Sequence, residues 1–257
     1  MIVRLSIALL AAAVGYLVGS VSFGRIVARF AAPDEDLSTT EFDIPDSEDK
    51  VVLTSVSSTS IGARKGPKWG CLAGILDILK AAVPTLVFRL WHPSDPYYLI
   101  VAVAAVVGHN WPVYYRFKGG RGISPIMGGM LVVDWLGLIV TGVVANLFGQ
   151  LVLKTPMAGF SLSLPLLTLW FALVTQSWWH VGYAAAINVV YWIAVIPELK
   201  TYVRLRREGR EADFFAAMST TPMGRGRQQL MDRLSFFKGR KRKEREQPME
   251  GGTKDVA

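Results

Sequence analysis

Charged residues are scarce in this chain, and one long stretch has none of them. They make up 19% of the 257 residues, whereas 51% are hydrophobic. No Asp, Glu, Lys or Arg occurs from Thr155 to Pro197, which is room for two membrane spans of about 20 residues each. Together with a mean hydropathy of +0.34, this composition excludes an ordinary soluble domain and indicates an integral membrane protein.

Cysteine and histidine are also rare, which limits the chemistry that the chain can carry. The single cysteine, Cys71, excludes an internal disulfide framework and a multi-cysteine metal site. The three histidines are His92, His109 and His180, and no two of them have the spacing of metal ligands. We therefore expect no metal site.

The apolar segments predict an all-α, polytopic membrane protein. Basic residues in the loop 25–68 and in the carboxyl-terminal tail favour the cytoplasmic side for both. The amino terminus is then outside, and an odd number of crossings is required. We therefore divide the apolar stretch 124–154 near Asp134. This gives about seven spans, of which the fourth is short: approximately 2–23, 69–90, 97–115, 124–134, 135–154, 157–175 and 178–196.

Two charged segments accompany the predicted membrane domain, residues 1–197. Residues 31–66 are expected to be a cytoplasmic loop with an acidic insertion, whose acids lack the spacing and central glycine of a calcium loop. Residues 198–257 form a basic tail, predicted to be partly disordered and to lie on anionic lipid headgroups where it is helical. The tail has few stacking aromatics, so we expect no nucleic-acid partner.

The stretch from Gly108 to Gly122 lies between two predicted spans and concentrates cations and glycines. Arg116, Lys118 and Arg121 alternate there with Gly119, Gly120 and Gly122. Glycines let backbone N–H groups converge on an anion, and the cations would add charge for a phosphate. The alternative is a basic loop that only fixes the membrane orientation.

Two further segments hold candidate residues. In the second span, Asp77 and Lys80 are three residues apart and share a helical face, as an ion pair or as part of a polar site. The run 57–68 combines hydroxyls, a glycine and cations. It is either a second phosphate-binding loop or a flexible linker, and its composition alone favours the linker.

These motifs resemble those of the bacterial acyl-phosphate:glycerol-3-phosphate acyltransferases of the PlsY type. The stretch Gly19-Ser20-Val21-Ser22-Phe23-Gly24 resembles the family's first-span signature, and 70–84 resembles its second span. The run Ser58-Thr59-Ser60-Ile61-Gly62-Ala63 is similar to a divergent form of its first loop motif. The most specific match is Gly108-His109-Asn110-Trp111-Pro112 through Lys118-Gly119-Gly120-Arg121-Gly122.

The resemblance implies a seven-span enzyme of phospholipid synthesis in a bacterial-type cell membrane, with its motif loops and carboxyl terminus in the cytoplasm. Such enzymes move a fatty acyl group from acyl phosphate to glycerol 3-phosphate, and they use no metal or other cofactor. The products are lysophosphatidic acid and phosphate. Substrates and membrane lipids are therefore the expected partners. The alternative is a divergent, non-catalytic membrane protein that binds a lipid phosphate or regulates a partner.

Matching positions imply the site residues. Four are expected to be catalytic: Arg121, Lys118, His109 and Ser60. The expected substrate-binding residues are Ser58, Gly62, Arg64, Asn110, Gly119, Gly120, Gly122, Asp77, Lys80 and Arg204. The chain departs from the family at Ser60, which replaces an asparagine, and at Arg121, which replaces a lysine. Arg64 is expected to supply an arginine of the first loop motif, and Arg204 is interpreted as the remnant of a closing motif.

Overall fold

The computed structural model describes residues 2–33, 40–43, 50–53, 56–152 and 158–209. Within them, the chain forms nine α-helices and one β-hairpin. The helices are α1 (Ile2–Gly19), α2 (Phe23–Ala31), α3 (Ser58–Lys65), α4 (Pro67–Trp91), α5 (Tyr97–Asn110), α6 (Ile123–Val133), α7 (Trp135–Leu151), α8 (Ala158–Trp170) and α9 (Trp178–Arg207). The hairpin pairs β1 (Thr40–Asp43) with β2 (Lys50–Leu53). The predicted all-α membrane fold is thus confirmed, with a small hairpin added.

Among the described residues, three helical segments are long and apolar enough to cross a bilayer: α1 with α2 (Arg4–Ala31), Pro67–Trp91 and Trp178–Pro197. The other apolar helices are shorter. On α4 the outward positions are aliphatic and exposed: Leu72, Ile75, Leu79, Val83, Leu86 and Leu90. Asp77 and Lys80 of the same helix are 4% and 5% exposed. A helix with lipid-like residues outside and its charges inside is typical of a membrane bundle.

Asp134 separates α6 from α7, as the parity of crossings predicted. It ends α6, and its side chain accepts from the backbone N–H of Gly137 at 2.9 Å, which caps α7. Its second carboxylate oxygen accepts from Trp170 Nε1 at 2.7 Å. An aspartate at this position supplies an acceptor for the unpaired N–H groups that begin a helix. The chain can therefore turn within a single residue.

The helices run between two ends of the bundle, which we call the pocket end and the junction end. Glycines of α1 lie against α5, with Gly15 at Val101 and Gly19 at Ala105, so these two helices are parallel. At the junction end, Arg89 donates to the carbonyl of Val132, and the Tyr98 hydroxyl lies 3.0 Å from His180 Nε2. The pocket end holds the carboxyl termini of α1 and α5.

Four boundaries differ from the prediction. The first predicted span, 2–23, ends at Gly19, because the chain turns before the separate helix α2. The third, 97–115, ends at Asn110, and Pro112 interrupts it as expected, before a single 3₁₀ turn over Val113–Tyr115. The segment 57–68 is neither loop nor linker, since most of it is helix α3. Helix α9 continues through Pro197 into the basic segment without a break. The predicted acidic insertion and the tail beyond residue 209 lie mostly outside the described residues.

Candidate functional site

A pocket opens at the pocket end of the bundle, where α1, α2, α4 and α5 meet the loop that follows α5. It contains about 260 Å³ of space, including its open mouth. Its polar side chains are Ser20, Ser22, Arg25, Lys80, His109 and Lys118, and Gly119 and Gly120 line it with their backbone. Cations and hydrogen-bond donors from distant parts of the chain therefore converge on one small cavity.

The Lys80 ammonium is the centre of the buried polar network at the base of this pocket. Its Nζ donates to the carbonyl of Val21 at 2.6 Å, lies 2.8 Å from Asp77 Oδ1 and lies 3.0 Å from His109 Nδ1. An ammonium has three N–H donors and no acceptor, so three acceptors match the protonated form. The network joins α4, α5 and the turn after α1.

The contact between Lys80 Nζ and His109 Nδ1 determines the tautomer of His109. Because Lys80 Nζ has only donors, His109 Nδ1 must accept, and a neutral ring then carries its proton on Nε2. Nε2 is the ring atom that faces Gly120, beside the pocket. His109 is therefore arranged to donate a hydrogen bond from Nε2 rather than to remove a proton.

The loop from Arg116 to Gly122 does not form the full backbone nest that its glycines predicted. Arg116 and Phe117 are left-handed, with φ of 51° and 59°. The N–H groups of Phe117, Lys118 and Gly120 donate to the carbonyls of Pro112, Tyr115 and His109 at 3.0 to 3.1 Å. These three donors cannot also bind an anion. These N–H groups bind backbone carbonyls because the loop folds back onto the end of α5.

Glycine is needed at 119 and 120 for that close approach. A Cβ at Gly119 would overlap the carbonyl oxygen of His109, and a Cβ at Gly120 would overlap His109 Nε2. The same Cβ at Gly120 would lie 3.0 Å from Cδ2 of the ring. Gly119 therefore lets the loop approach the backbone at the end of α5, and Gly120 packs directly on the imidazole. Lys118 beside them is exposed at the mouth.

Arg121 is not among the residues that line the pocket. It is half-buried and interacts electrostatically with Tyr191 of α9, whose hydroxyl lies 3.2 Å from Ser161 Oγ. Burial lowers the pKa of the Arg121 guanidinium from its usual value, and Tyr191 opposes this change. The structure thus separates Arg121 from His109 and Lys118, with which it was grouped.

The candidates from the first loop motif form the packed start of α3 instead of a loop. Ser57 and Ser60 make a reciprocal capping box, in which Ser57 N–H donates to Ser60 Oγ at 2.8 Å and Ser60 N–H donates to Ser57 Oγ at 3.2 Å. Ser58 and Gly62 pack against Gly70 of α4. Arg64 is exposed. None of these four candidates, Ser58, Ser60, Gly62 or Arg64, lines the pocket.

The remaining candidates are Asn110, Gly122 and Arg204. Asn110 is 3% exposed, its amide has no hydrogen-bond partner among the described residues, and it lies against Gly122. Gly122 has a φ of 79° and is the N-cap residue immediately before α6. Arg204 is exposed in the last turn of α9. It is about 20 Å further along that helix than Tyr191, at 1.5 Å per residue, so it is not brought to this group.

The sequence reading missed Ser20, Ser22 and Arg25, which line the pocket. In the sequence, Arg25 stands out only as one of the basic residues of the loop 25–68, whose charge favours the cytoplasmic side. The signal available in the sequence was the hydroxyl-rich turn immediately before this cation. As for metals, no cluster of three or more His, Cys, Asp or Glu side chains lies within the described ranges.

Comparisons with known proteins agree on one family. The family described as "Glycerol-3-phosphate acyltransferase" matches residues 9–206. A glycerol-3-phosphate acyltransferase of Halalkalibacterium halodurans is 31% identical over 66% of this chain and 76% of its own length. One of Mycoplasma mycoides is 30% identical over 63% of this chain and 61% of its own length. The chain spans about three fifths of the length of the first curated relatives that it matches.

Two solved structures share the fold. Both are described as PlsY, an integral membrane glycerol 3-phosphate acyltransferase, in a glycerol 3-phosphate form and a lysophosphatidic acid form. The TM-score is 0.62 for each, with 21% and 22% sequence identity. The first covers 79% of this chain and 94% of its own. This likeness confirms a polytopic helical membrane fold.

Proposed function

The chain belongs to the glycerol-3-phosphate acyltransferase family, and on that premise we propose that it transfers a fatty acyl group from acyl phosphate to glycerol 3-phosphate. The convergence of Lys80, His109 and Lys118 on one pocket supports this proposal most strongly. Both substrates carry a phosphate, and the pocket offers an exposed ammonium and an imidazole N–H. Among the curated relatives named glycerol-3-phosphate acyltransferase, the one from Halalkalibacterium halodurans is matched over 76% of its own length.

The proposed reaction needs positioning and charge stabilisation more than a protein nucleophile. The glycerol 3-phosphate hydroxyl attacks the acyl carbon, and the bond from that carbon to the phosphate oxygen breaks. Phosphate leaves with the bonding electrons, and the hydroxyl proton is released. Acyl phosphate is already activated, so cations that hold the phosphates can supply much of the catalysis. No step requires a metal or other cofactor.

Four residues at the pocket and its base have roles that follow from their contacts. Lys118, exposed at the mouth, would bind phosphate as a mobile point charge. His109 would donate from Nε2 to a phosphate or to the carbonyl oxygen on which negative charge develops. Lys80 and Asp77 would position the imidazole from below. Arg121 would act from the Tyr191 side, on a different group of the substrates.

A phosphate-release assay tests the function. Purified protein should release inorganic phosphate from acyl phosphate, and glycerol 3-phosphate should accelerate the release while lysophosphatidic acid accumulates. Release that is independent of the acceptor would point to a hydrolase. Absence of release, with intact binding of either substrate, would support a divergent lipid-phosphate binder. Ser58, Ser60 and Arg64 do not line the pocket, and this observation favours the second candidate function.

We also propose that the pocket end faces the cytoplasm and the junction end faces outward. Trp135, which begins α7 and is 60% exposed, should then react with a membrane-impermeant maleimide from outside when replaced by cysteine in a Cys71→Ala background. The matched control is Lys68→Cys, at the start of α4, which should react only after the membrane is opened. Labelling of position 135 from the cytoplasm alone would contradict the seven-span topology.

A further inference from the structure

We infer that Arg25 binds the phosphate group of a substrate in the pocket, an inference that rests on the proposed function. Arg25 lies in the first turn of α2 and lines the pocket together with Lys118. The ligand chemistry is a phosphate dianion, carried either by glycerol 3-phosphate or by acyl phosphate. This arginine is absent from the residues that the motifs indicated.

Two contacts hold the guanidinium in a defined position. Its carbon lies 4.8 Å from the centre of the Tyr115 ring, and Nη2 donates to the carbonyl of Lys118 at 3.4 Å. Stacking on an aromatic ring uses the face of the guanidinium and leaves its edge available. The single long hydrogen bond uses one of five N–H donors. The remaining donors can bind phosphate in the two-pronged geometry that arginine favours.

The backbone around Arg25 also suits an anion. Ser22 caps α2, and its hydroxyl accepts from the Arg25 N–H at 3.4 Å. Ser20 and Ser22 both line the pocket beside the guanidinium. The start of a helix carries partial positive charge that favours an anion nearby. Here that effect accompanies a full positive charge and two hydroxyl groups.

The charge balance of the pocket points the same way. Lys80 is compensated by Asp77 at 2.8 Å, so the cations that can compensate a ligand are Arg25 and Lys118. A phosphate dianion carries the complementary charge. Of the three arginines that the motifs indicated, Arg64, Arg121 and Arg204, none lines the pocket. Arg25 therefore takes the place in the pocket that those three do not fill.

Binding measurements on full-length protein in detergent test this role. Inorganic phosphate and glycerol 3-phosphate are titrated calorimetrically into the wild type, Arg25→Gln, Arg25→Lys and Arg29→Gln. Arg29 is the matched control, because it lies one turn further along α2, is exposed and is outside the pocket. Arg25→Gln should weaken phosphate binding roughly 10- to 100-fold, the loss of charge-assisted hydrogen bonds. Arg29→Gln should change it less than about twofold.

Steady-state kinetics then identify the substrate that Arg25 holds. Arg25→Gln should raise the KM of the substrate whose phosphate it binds, with a smaller effect on the KM of the other. Arg25→Lys should restore part of the lost substrate affinity, since lysine keeps the positive charge but lacks the paired N–H donors of the guanidinium. A merely structural arginine would lower kcat or the melting temperature without this selectivity.

The outcomes separate this inference from the proposed function. Weaker phosphate binding in Arg25→Gln but not in Arg29→Gln supports phosphate binding by Arg25, even if the wild type transfers no acyl group. Equal binding in the two variants overturns the inference even where transfer is intact. A wild type that binds no phosphate also overturns it. If Arg25→Gln does not fold, Arg25→Lys decides, and wild-type phosphate affinity and KM values in that variant would count against the inference.

Discussion

Replacing Lys80 by methionine should lower kcat/KM at least about 100-fold and should also destabilise the protein. The ammonium holds the His109 ring through Nδ1 at 3.0 Å, and its loss would release both the orientation and the tautomer of the ring. A displacement of about 1 Å in a catalytic group can cost a factor of 100. The measurement is acceptor-stimulated phosphate release, together with the thermal midpoint in detergent.

The stability loss has a separate cause, which a second variant isolates. Asp77 is 4% exposed, and removing its partner leaves an uncompensated buried charge, which costs roughly 3–5 kcal/mol. The variant Asp77→Asn/Lys80→Met removes both charges while the asparagine oxygen can still accept from the backbone N–H of Phe23. We expect most of the stability to return in this double variant, while activity remains low. Recovery of activity would mean that Lys80 serves only as the counter-ion of Asp77.

The sequence could predict the course of the chain because hydropathy and charge act locally. The uncharged stretch 155–197 and the break at Pro112 follow from such local rules, whereas the division at Asp134 does not. The division required a further physical argument, the parity of crossings, because the stretch 124–154 is apolar on both sides of Asp134. The structure contains the same division, with one residue serving both helices.

The serine-rich run before α4 shows where local reasoning failed. Small polar residues are typical of loops, and the run has little hydrophobic periodicity to indicate a helix. What makes it helical is the reciprocal bonding of Ser57 with Ser60 and the packing of Ser58 and Gly62 on Gly70. The first of these is a weak sequence signal, because capping boxes usually pair serine with glutamate or glutamine. The second is tertiary and has no local signature.

The sequence indicated pocket residues where a motif contains them, in the stretch 108–122 and at Lys80 of the second span. It did not indicate which distant parts of the chain contact each other. His109, Lys118, Gly119 and Gly120 belong to one motif and lie at one pocket. The contact between Lys80 and Val21 joins residues 59 positions apart, and the Arg25 side chain contacts the loop 93 positions later. Such pairs depend on how the helices pack. Arg121 illustrates the reverse case, since its place in the motif suggested the pocket but it does not line the pocket and interacts electrostatically with Tyr191.

The glycines of the motif have a different structural role from the one that the composition of the loop predicted. Glycine-rich loops often turn N–H groups toward an anion. Here the N–H of Gly120 donates to the carbonyl of His109 at 3.0 Å, and its Cα lies against the imidazole. The anion would therefore be bound by side chains, which this compact loop positions. In the proposed reaction, the loop would affect catalysis by positioning His109.

Replacing Gly120 by alanine should accordingly reduce kcat/KM about 100-fold while the protein still folds. The new Cβ would overlap His109 Nε2, and the ring would have to move away from the pocket or tilt off Lys80. Gly142→Ala in α7 is the control, because a Cβ there meets nothing within 4 Å. It should leave both activity and the thermal midpoint close to wild type.

A double-variant cycle decides whether the imidazole transmits this effect. In a His109→Ala background the ring is absent, so the Gly120→Ala change has no Nε2 to displace. We expect His109→Ala alone to be nearly as inactive as the pair, and the two losses to be far from additive. Additive losses would show that Gly120 acts on the loop backbone or on Lys118, and that His109 does not depend on it. In that case the close approach of loop and ring would be packing alone.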